Sequence, residues 1–148
     1  MRFLPFALLL AASATAETRI ADPEAFVSQV YRSITAHPRD YAPPRDIYTA
    51  RLKALFLKDE QRAAGEVGCV DFDVWTNSQD PEGIRDIRVA SIVSRNPKQK
   101  TVVASFVLTR PEEIHFEFRR FGKIWLLDEV SSQEAPRWTL SRLLRCKK

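Results

Sequence analysis

The chain has 148 residues, 45% hydrophobic and 28% charged, a size and balance that suit one domain with one core. Its net charge of +4 is mild and its charges are interspersed, which sets nucleic acid aside as a partner. Two cysteines without a CxxC spacing set aside a zinc or dithiol redox site.

The first 16 residues read as a signal peptide. Arg2 supplies the positive start, Phe3 to Ala12 the apolar run, and Ala14-Thr15-Ala16 a small-x-small site that predicts cleavage before Glu17. The run is shorter than the roughly 20 residues a bilayer-spanning helix takes. No cysteine stands at the predicted cut, so lipid attachment is not expected. No later segment is apolar for long enough to predict a transmembrane segment. The expected location is periplasmic or secreted. Removing 16 of 148 residues leaves 132, one domain over 17–148 with 22 basic and 19 acidic side chains.

In an oxidising compartment an even pair of cysteines is expected to be bridged, so a Cys69–Cys146 disulfide is predicted. It would staple the C-terminal segment to the chain just before Asp71. That segment carries Arg137, Arg142, Arg145, Lys147 and Lys148 without an acid. It reads as a solvated terminus, with contact to an anionic partner such as a membrane surface as the functional alternative.

In chain order, Asp22-Pro23-Glu24 is a helix start: a cap, a proline suited to the first position, and an acid at the positive end of the dipole. Phe26, Val30 and Ile34, with Val27 and Tyr31, form one apolar helix face that ends near His37-Pro38. After a loop with three prolines, a second helix is predicted from about Asp46 to Ala64. Tyr48, Leu52, Leu55 and Phe56 form its apolar face, and the two helices are expected to pack side by side. Four strands follow: Ile84 to Ser94, Thr101 to Thr109, the stretch around Ile114, Phe116 and Phe118, and Ile124 to Val130. The turns between them are short, which means antiparallel neighbours. The predicted fold is α+β, N-terminal helices on an antiparallel meander sheet of about four strands. Val103, Val107 and Trp125 make strands apolar on both faces. One face meets the helices, and the other is left for the C-terminal segment, a ligand or a sister subunit, with a homodimer expected.

Several pieces of the chain match a known pattern: Phe26 to Tyr31; Tyr48-Thr49-Ala50-Arg51-Leu52 with Asp59-Glu60; Val70 leading into Asp71-Phe72-Asp73; Gln79-Asp80; and Gly122 to Val130. With these the chain resembles a family of exported bacterial proteins of unknown function that has a nuclear transport factor 2-like, cone-shaped fold. It departs from the family's central motif at Val74, Trp75 and Ser78. The resemblance implies a fold, helices closing the wide end of a curved antiparallel sheet, and no activity.

Asp71 to Asp80 is the densest cluster of acids, amides and aromatics, and Asp71, Asp73, Trp75, Gln79 and Asp80 are the binding candidates. On a strand, Asp71 and Asp73 share a face, and two close carboxylates raise one pKa. As an isomerase- or dehydratase-type enzyme, the protein would use Asp73 as base and Tyr31 or Tyr48 as donor. The plainer reading is that the acids accept backbone N–H bonds and shape the loop. Asp71, Asp73 and Glu82 fall at the first, third and twelfth positions of a calcium loop, but Trp75 and Thr76 replace a ligand and the required glycine. His37 and His115 lack ligand-spaced partners, and there is no phosphate loop or nucleophile elbow, so neither metal nor cofactor is expected. The leading expectation is a non-catalytic envelope module that binds a small apolar ligand or a protein partner. A deep apolar pocket reached by Asp73 would favour the enzyme, and a filled cone the binding module.

Overall fold

In a computed structural model, which describes residues 16–147, the chain begins with helix α1, Pro23–Ala36. The predicted signal peptide lies, up to Thr15, outside the described residues. The Asp22 carboxylate accepts the Glu24 and Ala25 N–H groups at 2.9 and 3.4 Å, and Val27, Val30, Tyr31 and Ile34 are buried at helical spacing. The helix stops at Ala36, before the His37-Pro38 step.

The second helix departs from expectation at its start. Asp46 lies in a one-turn 3-10 helix, Arg45–Ile47, and its carboxylate accepts the Thr18 N–H at 2.7 Å. Tyr48 is extended and bridges Leu127, and helix α2 runs Ala50–Ala63 behind a Thr49 cap. The Thr49 hydroxyl caps the helix by accepting the Leu52 N–H at 3.5 Å, while the Thr49 N–H donates to the Leu127 carbonyl at 2.9 Å. The helices do not lie side by side: α1 covers the half of the sheet that starts the meander, and α2 touches the half that ends it.

The sheet is an open antiparallel meander of five strands, one more than predicted: β1, Arg85–Ile92; β2, Gln99–Val107; β3, Pro111–Phe121; β4, Ile124–Ser132; and β5, Trp138–Thr139. The fifth strand is two residues long, too short for an alternating pattern to mark it. It leads into the short helix α3, Leu140–Leu143. Among the described residues no helix is long and apolar enough to cross a membrane.

One face of the sheet carries the core. Val102, Ala104, Phe106, Ile114, Phe116, Phe118, Leu127 and Val130 are buried there with the apolar side of α1. Two expectations about the opposite face are corrected. Trp125 stands two residues from Leu127 and packs against the core, bridged to Ile20. Leu140 and Leu144 of the C-terminal segment enter the same core instead of covering the far face. That face keeps Val103 and Val107 half-buried among Ser105, His115 and Glu117.

A bulge shifts the β3–β4 register after Glu117, and Asp128 stands in it. Its nearly buried carboxylate accepts from the Thr49 hydroxyl at 2.8 Å, Arg51 Nε at 3.3 Å and Arg119 Nε at 2.8 Å. Neighbouring Glu129 accepts the Ser141 N–H at 3.0 Å and faces Arg51 at 3.6 Å. Thus β4 ties down the start of α2 on one side and the start of α3 on the other.

Candidate functional site

Between α2 and β1 the chain closes a turn of its own. Asp73 and Ser78 bridge antiparallel, and the Asp73 N–H donates to the Ser78 carbonyl at 2.9 Å. Asn77 makes the return at φ 52°, a left-handed value asparagine tolerates. The Asp73 carboxylate fills the turn: one oxygen accepts the Trp75 N–H at 2.9 Å, the other the Thr76 hydroxyl at 3.0 Å. This Asx turn drives Trp75 inward. Its ring stacks on Phe116 at 4.5 Å, and its carbonyl accepts the Tyr31 hydroxyl at 2.5 Å. Asn77 anchors the other side, donating to Glu112 at 3.1 Å and accepting the Trp138 indole N–H at 2.8 Å.

Against this turn lies a cleft of about 450 Å³, a volume within the small-molecule range. One wall is a single face of α2, with Lys53, Phe56, Leu57 and Glu60 at helical spacing. The opposite wall is the approach to the turn, Val70, Phe72, Asp73, Val74 and Trp75, and Tyr48 and Leu140 close the ends. The Tyr48 and Phe56 rings meet at 5.0 Å. Lys53, Glu60 and Arg45 are exposed and stand at the rim, while Asp73 is half-buried in the wall.

Burial pushes the Asp73 carboxyl above the usual carboxylate range, against the pull of the two hydrogen bonds it accepts. Burial also holds the Tyr31 phenol well above its ordinary value, and the charge of Asp73 adds to this. Tyr48 is raised by burial and partly relieved by a hydrogen bond with the Trp75 side chain and by the charge of Arg45.

No family model, curated protein or solved structure matches this chain.

The fold gathers Asp73, Trp75 and Tyr48 at the cleft and leaves the other candidates outside it. Tyr31 lies behind Trp75, 1% exposed, with its hydroxyl committed to the Trp75 carbonyl. The Asp71 carboxylate is exposed and makes no hydrogen bond among the described residues, and its carbonyl accepts Gln79 Nε2 at 3.3 Å. Asp80 accepts the Glu82 N–H at 3.0 Å, as a turn-shaping acid does. Glu82 itself reaches Arg39 at 2.9 Å, away from Asp73, so the three acids of the calcium pattern do not converge. His115 is on the outer sheet face, bonded to Glu113 at 2.7 Å, and His37 is exposed. The helical wall was open to sequence reasoning: Lys53, Phe56, Leu57 and Glu60 follow the 3.6-residue period. Arg45 and Leu140 carry no local signal.

Cys69 and Cys146 are joined in a disulfide, 77 residues apart in sequence with their Cα atoms 5.8 Å apart. Helix α2 grips both arms. Asp59 accepts the Cys69 N–H at 3.0 Å from each oxygen, and Arg62 donates to the Cys146 carbonyl at 2.5 Å. A Cβ at Gly68 would collide with the Asp59 carboxylate and displace it from its place against Cys69. Val70 and Leu140, two elements of the cleft, are positioned through this staple. Asp59, Cys69 and Cys146 are near enough to one another for a metal site, but both sulfurs are used in the disulfide.

Proposed function

We propose that the protein is a non-catalytic binding module of the cell envelope that holds a small apolar ligand in the cleft between α2 and the Asp73 turn. The observation that carries this reading is the use of Asp73: each of its oxygens accepts a bond from within its own turn. The acid thereby shapes a wall whose exposed part is apolar and aromatic. Export through the predicted signal peptide belongs to the proposal. The disulfide supports it, because such bonds persist in oxidising compartments. The nuclear transport factor 2-like cone belongs to it as well. Its support is the order of helices and meander, and the meeting of Thr49 and Arg51 with Asp128 and Glu129, two stretches that carry the resemblance.

The test is to equilibrate the protein with an extract of its own envelope and identify retained small molecules by mass spectrometry. A retained apolar compound, lost when Val70→Trp fills the cleft, is the expected result. A protein that retains nothing would overturn the reading.

One observation favours an isomerase- or dehydratase-type enzyme instead. Asp73 and Tyr48 line the same apolar cleft, and the raised pKa of Asp73 suits a general base. Its carboxylate has lone pairs beyond the two in use. Conversion of the retained compound by wild type but not by Asp73→Asn would select this reading. Recovery of the unchanged compound selects the binding module. The protein-partner form of the module uses the outer sheet face at Val103 and Val107, with a second copy as the proposed occupant. Light scattering at micromolar concentration reads it, and a monomeric mass counts against it.

A further inference from the structure

We propose that the end of the sheet formed by the β1–β2 and β3–β4 turns docks the protein onto an anionic lipid surface. In a meander these two turns fall at the same end, and the Arg120 N–H donates to the Lys98 carbonyl at 2.9 Å, which makes them neighbours. Residues 92–100 and 119–123 carry six Lys and Arg and no Asp or Glu. Two of the six are neutralised, Lys100 by Asp22 at 3.6 Å and Arg119 by Asp128 at 2.8 Å. Arg95, Lys98, Arg120 and Lys123 are exposed and carry no ion pair among the described residues. Arg120 is held beside Trp125, 6.0 Å from the ring, by donating to the Gly122 carbonyl at 2.9 Å.

Apolar side chains stand among these cations. Val93 is 96% exposed, Phe121 51% and Ile92 49%. A single exposed apolar residue needs no explanation. Here Val93 and Phe121 belong to two adjacent turns, and each has unpaired cations within a few residues. A soluble polyanion pairs with the cations and gains nothing from Val93 or Phe121. A bilayer surface uses both, taking the apolar tips into the headgroup boundary while the cations meet lipid phosphates. Gly122, at φ 62°, permits the tight return that leaves Phe121 and Lys123 at the tip. The surface is separate from the cleft and does not depend on what the cleft holds.

The experiment uses the chain from Glu17 to Lys148, which contains the whole core from Ile20 to Leu144. It is sedimented with vesicles of phosphatidylcholine, with and without phosphatidylglycerol. Binding is expected only with phosphatidylglycerol and should weaken as salt is raised. Lys98→Glu with Lys123→Glu should reduce it by at least about fivefold per charge changed. Val93→Ser with Phe121→Ser should also reduce it, and neither pair should shift the melting temperature, since all four side chains are exposed. Arg142→Glu with Arg145→Glu, at the basic terminus, should leave binding unchanged. Absence of phosphatidylglycerol-dependent binding overturns the proposal, as does loss of binding in the terminal variant. Wild-type binding by the serine pair also overturns it, since the site would then be one for any soluble polyanion.

Discussion

Asp73 is held by two opposing effects. Its turn needs an acceptor for the Trp75 N–H, while its burial disfavours the charge. Because the folded pKa lies above the unfolded one, its contribution to stability is full below the ordinary carboxylate range. That contribution is lost as pH rises through the folded value. At neutral pH the charge therefore opposes folding and the hydrogen bond favours it. Asp73→Ala removes the acceptor and should cost about 1–3 kcal/mol in thermal unfolding. Asp73→Asn keeps an acceptor without the charge and should melt close to wild type. Equal losses in the two variants would show that the charge itself supports the turn. Tyr31 gives a second check: Tyr31→Phe strands the buried Trp75 carbonyl and should cost about 1–3 kcal/mol. That Asp73 and Asp80 serve turns was legible from residue type and spacing. The commitment of Tyr31 to Trp75 was not, because 44 residues separate them in sequence.

At the scale of elements, β4 is the organiser. Its bulge at Asp128 collects Thr49, Arg51 and Arg119, and its Glu129 collects Ser141. Burial raises the Asp128 pKa, but the bonds from Thr49, Arg51 and Arg119 outweigh it, so the carboxyl titrates below its ordinary value. With a lowered folded pKa, its contribution is present above the ordinary carboxylate range and lost as pH falls through the folded value. The acid side of the stability profile should therefore flatten in Asp128→Asn. Asp128→Ala should lose about 2 kcal/mol at neutral pH, a figure limited by the half-exposed arginines. Chemical unfolding at several pH values checks both. Alternation along β3 announced its buried face, and the Asp22-Pro23 cap announced α1. Helix α2 starts later than its apolar spacing implies, behind Thr49, whose N–H and hydroxyl both bond to β4 across a long sequence separation.

At the scale of the molecule, the disulfide and α2 together hold the C-terminal segment against the cleft. Closing a loop of 77 residues is worth about 4 kcal/mol in the chain-entropy model. Cys69→Ser with Cys146→Ser should lose stability of that order, and should weaken any ligand retained in the cleft because Leu140 and Val70 are then less constrained. Unchanged stability on denaturant unfolding would mean that Asp59 and Arg62 hold the segment unaided.

The α+β order, α1 and its cap, the strand alternation and the pairing of the two cysteines were all readable along the chain, since each follows from local period, turn chemistry or simple count. Long-range packing is what brings Trp125 and the C-terminal segment into one core, sets the helices over separate halves of the sheet, and makes Asp73, Tyr48 and Leu140 share a cleft. Those relations are set by which buried faces and unpaired backbone groups meet across long separations, and no local period carries that information.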